Sequence, residues 1–429
     1  MFNLVFLAIT GLPLVGLIMM EGGALGPDIY EYGHRNGASL AYTTHFAVMC
    51  CTYAVVFGLL RFTVLPSAPA KRQPKLVAAY DPEAFRRLAI RALWLNLLLL
   101  AFVFFVAGAW KVVFGLMDKG QFRTQARFGY VAFLARDFLS PMLSAGVAYV
   151  YMRTRYGGVE LILLGANLLV TAVSGAIWGY RASLLMMLIP AAMILIRRMT
   201  LVRATGLVAG ALAMVIFASM YFQGYNFQDA LDGAVTRASV GTANSAWRVW
   251  DIEMTAPAMI PPYLPTLRSA LGWRLLSLFG VDPAAPLDVG RPGDYSTLAT
   301  LLAKNFSQGV DATSNVTTTV FGEGVVAFGA RGFLLMSLLA GTIVGMVRAL
   351  FEFGRQQYRP LVALLAANYF TTSLFAWLNS GGIATLFVVP YVINYVITYC
   401  VMRTLLRQSG IPLALGRRVP AGPHEGRAA

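Results

Sequence analysis

The stretch Ala92-Leu-Trp-Leu-Asn-Leu-Leu-Leu-Leu-Ala-Phe-Val-Phe-Phe-Val-Ala-Gly-Ala-Trp110 contains no charged residue. A helix of roughly 20 apolar residues spans the ~30 Å hydrocarbon layer of a bilayer. Comparable runs recur near 2–20, 41–62, 92–114, 131–152, 159–178, 182–198, 204–222, 324–348, 361–378 and 383–402. Of the 429 residues, 58% are hydrophobic and 12% charged, and the mean hydropathy is +0.66. An average soluble domain carries about 25% charged residues. Soluble, disordered and fibrous classes are thereby excluded. The pattern predicts an all-α polytopic membrane protein of about ten transmembrane helices. Helices 1–7 fall in 1–222, a large loop or cap in 223–315, helices 8–10 in 316–408 and a tail in 409–429.

The net charge is +15. A nucleic-acid partner would require Lys and Arg gathered on a soluble face, whereas here they punctuate apolar runs. Basic residues near span ends mark the cytoplasmic side. With the N-terminus inside, that side receives Arg61, Lys71, Arg72, Lys75, Arg86, Arg87 and Arg91, read as one loop. It also receives Arg153 and Arg155, Arg197 and Arg198, Arg348, Arg355 and Arg359, and the tail arginines. Both termini are expected in the cytoplasm. The first outer loop instead holds Asp28 and Glu31, which either solvate a short loop or bind a divalent cation.

Lys111, Lys119, Arg123, Arg127, Arg237, Arg248, Arg268, Arg274 and Arg291 fall on the opposite side, where that rule predicts scarcity. They point to an outer cavity that attracts an anionic lipid or lipid-linked substrate. The loop 223–315 holds the best local signal. At 100° per residue, Arg237, Gly241, Asn244, Arg248 and Asp251 share one stripe, opposite Val240, Ala243, Trp247, Trp250 and Met254. This predicts an amphipathic helix whose polar face is either solvated or an anion clamp, since guanidinium forks match phosphate oxygens. Trp247 and Trp250 either stack on sugar rings or anchor the cap.

Charges at membrane depth are expensive and mark function or anchoring. Arg136–Asp137 lies near the outer end of the fourth run. Arg181 sits in a very short turn beside Trp178 and Tyr180, either contacting phosphate or snorkelling as an interfacial anchor. Glu323 is read as opening the eighth run at a helix N-terminus, where the macrodipole favours a carboxylate. Arg331, eight residues on, is expected on the same helix face. The glycines around Glu323 match no phosphate loop and are expected to let helices pack closely. Cys50, Cys51, Cys400 and the three histidines form no metal-ligand pattern, so no metal and no cofactor is expected.

The segment Thr319-Val-Phe-Gly-Glu-Gly-Val-Val-Ala-Phe-Gly-Ala-Arg-Gly-Phe-Leu-Leu335, followed by Ala340-Gly341, resembles bacterial oligosaccharide repeat-unit polymerases of the O-antigen (Wzy) type. Ser174-Gly175 through Arg181-Ala-Ser-Leu-Leu185 is similar to their Ser-Gly…Arg helix entry. Motif detail covers about 35 residues, by count over the two segments, and the layout of spans with one dominant late loop is also similar. None of the loop arginines has Gly at the Arg-x10-Gly spacing of some members. The resemblance implies a GT-C-like, metal-independent glycosyltransferase of the bacterial inner membrane. It would move a growing glycan from undecaprenyl pyrophosphate onto a lipid-linked repeat unit at the periplasmic face. Its partners would be that lipid-linked oligosaccharide and membrane lipids, with room for a chain-length regulator protein. On this reading Arg181, Arg237 and Arg248 hold the pyrophosphate with Arg274 in support, Asn244 and Trp247 line the site, and Glu323 or Asp251 is the base. A ligase-like enzyme, a polyprenyl-phosphate-sugar-dependent transferase and a lipid-linked oligosaccharide transporter or flippase are the alternatives.

Overall fold

The computed structural model describes residues 1–22, 35–63, 80–117, 122, 128–154, 157–177, 181–196, 226–235, 241–255 and 319–413, with a few isolated positions between 206 and 220. The described residues contain no strand, and eight helices are long and apolar enough to cross a membrane. They are α1 (Phe2–Glu21), α2 (Ala38–Thr63), α3 (Pro82–Val106), α4 (Gly129–Tyr151), α5 (Gly158–Ile177), α6 (Gly332–Gln356), α7 (Pro360–Ser380) and α8 (Val389–Gln408). The chain is a multi-pass α-helical membrane protein. The run at 182–198 is the shorter helix Arg181–Leu195, and that at 204–222 lies largely outside the described residues.

Two boundaries differ from expectation. The helix α3 begins at Pro82, so Arg86, Arg87 and Arg91 ride on its first turns and not in a loop. Its start is set by Asp81, whose side chain accepts from the Glu83 amide, and by Pro82 at the first helical position. The eighth run is divided. A short helix, Thr319–Phe328, precedes α6, and the break falls at Gly329, where φ is +76°. Glu323 therefore lies within the short helix and does not open the span. Arg331 sits beyond the break, at the N-cap of α6, and does not share a helix with Glu323.

Glycine sets the closest approaches, as expected. A Cβ on Gly332 would lie 2.0 Å from the Gly324 carbonyl oxygen, so the corner between the short helix and α6 closes only without side chains. On α6, a Cβ at Gly341 would meet the Met49 carbonyl at 2.5 Å, and one at Gly345 would meet Val56 at 3.0 Å. This Gly-x-x-x-Gly pair seats α6 directly on α2, the means by which apolar helices associate where lipid offers no hydrophobic drive. His45 on α2 and Ser337 on α6, both buried, meet at 2.7 Å and pin the register of the same pair. Elsewhere Asn96 of α3 reaches Thr171 of α5, and Asn167 donates to the Ala89 carbonyl at 3.0 Å.

Most described basic residues gather at one end of the bundle. Glu352 joins Arg348 at 2.9 Å and Arg355 at 2.6 Å, and Arg348 reaches Asn3 at 3.0 Å. Arg153 donates to the Arg355 carbonyl at 2.6 Å, and Arg86 pairs with Glu160 at 2.8 Å. Burial, with the guanidiniums of Arg348 and Arg355, holds the Met1 amine below its ordinary pKa. The candidate site lies at the other end.

Candidate functional site

The helix Gly241–Thr255, α9 here, packs against α1, α2 and the short helix Thr319–Phe328. Ala243, Ala246, Trp247 and Val249 are buried among Leu17, Met20, Tyr42 and Phe321. Asn244, Arg248 and Asp251 form the half-buried strip that remains, which is the polar stripe the periodicity indicated. For this helix one open choice narrows and one expectation changes. Trp247 is 1% exposed, so it anchors the helix and offers no face to a sugar. Met254, assigned to the apolar face, is 56% exposed, because it falls in the last turn beyond the packed neighbours.

Within the strip, Arg248 donates from Nε to the Asn244 side chain at 3.2 Å, one turn back. This fixes the guanidinium plane. Asp251 accepts from the Asn36 side chain at 3.1 Å, and the Trp250 indole donates to the Asn36 carbonyl at 3.0 Å. Asn36 also accepts from the Ala38 amide at 3.0 Å, at the start of α2. One asparagine thus ties the entry of α2 to α9. Glu253 adds a third tie, accepting from the Ala330 amide at 3.0 Å in the break before α6. No sequence signal marked Asn36 or Glu253, whose partners lie 215 and 77 residues away.

Glu323 is 1% exposed. Its carboxyl oxygens accept from the Trp377 indole and from the Ile383 amide, both at 2.7 Å. The second bond engages an orphan donor at the start of the one-turn helix Ile383–Leu386, just after Gly381 and Gly382 at positive φ. A backbone N–H buried without an acceptor is costly, so Glu323 holds together the C-terminal end of α7 and the break that follows it. Both carboxyl oxygens of Glu323 are thus engaged in tying helices together, whereas Asp251 stands on the same strip as Arg248.

A cavity of about 240 Å³ lies between α4, α7, α8 and the helix Arg181–Leu195. Arg136 and Asp137 line it, joined side-on through Nε and Nη2, both at 2.5 Å. Both stand in a π-helical turn of α4, Ala135–Leu139, and the facing wall includes a second π turn, Phe370–Leu374 of α7. Such turns recur at functional sites because they re-aim side chains within a helix.

The backbone of Arg181 opens its helix, two turns from Met187 in the cavity wall; its side chain, with Arg237, Arg274, Asp28 and Glu31, lies outside the described residues. Among the described residues no cluster of His, Cys, Asp and Glu could hold a metal. Comparison with protein-family models, curated proteins and solved structures found no match.

Proposed function

We propose that this chain is a membrane glycosyltransferase that polymerises oligosaccharide repeat units, transferring a growing glycan from undecaprenyl pyrophosphate to a lipid-linked acceptor. The observation that carries the reading is the strip Asn244–Arg248–Asp251. It puts a guanidinium with a fixed plane and a carboxylate on one face of a helix, at the end of the bundle opposite the arginine-rich end. By the positive-inside rule the arginine-rich end is cytoplasmic, which puts the strip on the periplasmic side. The resemblance of Thr319–Leu335 supports the same end, since that segment packs directly against α9.

In the reaction the acceptor hydroxyl attacks the anomeric carbon and its proton passes to Asp251. The bond from that carbon to the pyrophosphate oxygen breaks, and undecaprenyl pyrophosphate leaves with the electron pair. Arg248, with Arg181 and Arg237 and support from Arg274, stabilises the charge that develops on the leaving oxygen. Asn244 orients Arg248, and Glu323 acts by positioning the neighbouring helices.

The test is glycan chain length on a gel, in cells carrying variants in place of their own copy. Arg248→Ala and Asp251→Asn should each collapse the ladder to single repeat units at wild-type protein level. Full ladders in both would overturn the proposal.

A further inference from the structure

Polar groups that the fold leaves unpaired gather where α4, α7 and α8 meet. Asn368, Asn394 and Thr398 are each 0% exposed. Four of their side-chain atoms bond nothing in the protein: Nδ2 and Oδ1 of Asn368, Nδ2 of Asn394 and Oγ1 of Thr398. Asn394 is half used, since its Oδ1 accepts from the Tyr130 hydroxyl of α4 at 2.7 Å. A buried polar group without a partner is costly, and lipid supplies none.

The surrounding contacts bring these atoms together. A Cβ at Gly146 of α4 would collide with the Met402 methyl of α8 and lie 3.8 Å from Leu364 Cδ1 of α7, so the three helices converge there. Further along, Thr372 and Ser373 of α7 bond the Tyr395 hydroxyl of α8. The two helices therefore run antiparallel, with Leu364 beside Met402 and Thr372 beside Tyr395. Asn368 lies about one turn from both Leu364 and Thr372, and Thr398 about one turn from both Met402 and Asn394. At that spacing each set shares a helix face. Asn368 and Thr398 thus stand at one depth, near the middle of both spans.

The unmet groups define the ligand. The two amide nitrogens and the Thr398 hydroxyl supply about five hydrogens, and Asn368 Oδ1 and Thr398 Oγ1 about four lone pairs. A metal cation takes a shell of oxygen ligands with carboxylates among them, whereas this set is rich in N–H and holds no carboxylate. A hydrocarbon chain would answer none of these groups. Water both donates and accepts. A buried water makes about three hydrogen bonds, so the open positions correspond to about two or three molecules.

We propose that α4, α7 and α8 enclose a hydration site in the membrane-spanning core, where a small cluster of water molecules bridges Asn368, Asn394 and Thr398. At this depth α7 and α8 are joined by exchangeable water bonds and not by side chains locked into each other. The site stands apart from the Arg248 strip and does not depend on the function proposed above.

The experiment is X-ray hydroxyl-radical footprinting of the full-length protein in lipid nanodiscs, because radiolysis of a bound water oxidises the side chain beside it. Met402 is 1% exposed, and Met142, one turn from Gly146 on α4, is 0% exposed. Met49, equally buried on α2 against α6, is the control. Met142 and Met402 should oxidise several-fold faster than Met49. Thr398→Val and Asn368→Leu, both close to isosteric, should each bring them down toward the Met49 rate. The variants are compared with wild type for monodispersity and melting temperature. Rates no higher than at Met49 in wild type, or unchanged in either folded variant, would overturn the proposal. If Asn368→Leu fails to fold, Thr398→Val decides alone. Melting is repeated with choline in place of sodium and potassium. A melting temperature that falls without the metal cations in wild type, but not in the variants, would assign the site to a cation and overturn the water reading.

Discussion

Glu323 offers the sharpest test of how the end of the bundle that carries α9 is held. The Trp377 indole and the Ile383 amide each have its carboxyl as acceptor at 2.7 Å, in a site closed to water. Leaving a buried donor unsatisfied costs about 1–3 kcal/mol, so Glu323→Ala, with two such donors, should lose roughly 2–6 kcal/mol. Glu323→Gln keeps one carbonyl acceptor and turns an amide donor toward the other N–H, so its loss should be about half as large. Glu323→Asp is one methylene short of reaching both donors and should fall with Gln. The assay is thermal melting in nanodiscs by fluorescence-detected size exclusion, with glycan ladders from the same cells. Stability should rank wild type first, then Gln and Asp, then Ala, and ladder length should follow that ranking. Glu323→Gln melting with wild type while abolishing the ladder would refute the positioning role and restore Glu323 as the base. Glu323→Ala melting with wild type would refute the clamp itself.

Three further outcomes are expected. Gly341→Leu should separate α2 from α6, costing about 1–3 kcal/mol by overpacking against the Met49 carbonyl and Thr52, while Gly345→Ala should be milder; melting of the two variants checks the order. Glu352→Ala should strip Arg348 and Arg355 of their shared carboxylate and destabilise by about 3–5 kcal/mol. It should also lower the Met1 amine pKa further, since Glu352 is the group that raises it, so acylation of that amine should begin at lower pH. In a chain freed of Cys50, Cys51 and Cys400, Met254→Cys should react with an impermeant maleimide in intact cells, and Gln408→Cys only after permeabilisation; the reverse pattern would invert the topology.

The spans were legible because apolar runs of bilayer length have few alternatives in a chain this poor in charge. Their ends were less so. The arginines 86, 87 and 91 read as loop, yet Asp81-Pro82 is a helix start that outweighs them once the stems can lie along neighbouring helices. The run at 324–348 gave no sign of its break, because Gly329 at positive φ looks in sequence like any packing glycine. The polar strip of α9 followed from periodicity alone. The rest of the site did not. Asn36, Glu253 and the Trp377–Ile383 donors matter through partners far away in sequence, and the π turn that carries Arg136 and Asp137 has no signature in the residues that form it.

Such a turn has a consequence for how the chain tolerates change in length. Three π turns occur among the described residues, Phe102–Val106, Ala135–Leu139 and Phe370–Leu374. Each holds one residue more than the α-helix it interrupts. Deleting a single residue inside Ala135–Leu139 would let the helix close into regular α form, with every backbone bond intact. The penalty would be rotational, since one side of the deletion turns by about 100° relative to the other. A chain shortened at Phe138 or Leu139 would still cross the bilayer with Arg136 and Asp137 adjacent, yet the pair would be turned relative to Pro141 and the rest of α4. Single-residue deletions at Ala135–Leu139 and Phe370–Leu374, the two turns that line the cavity, are therefore predicted to be mild for membrane insertion and severe for the shape of the cavity.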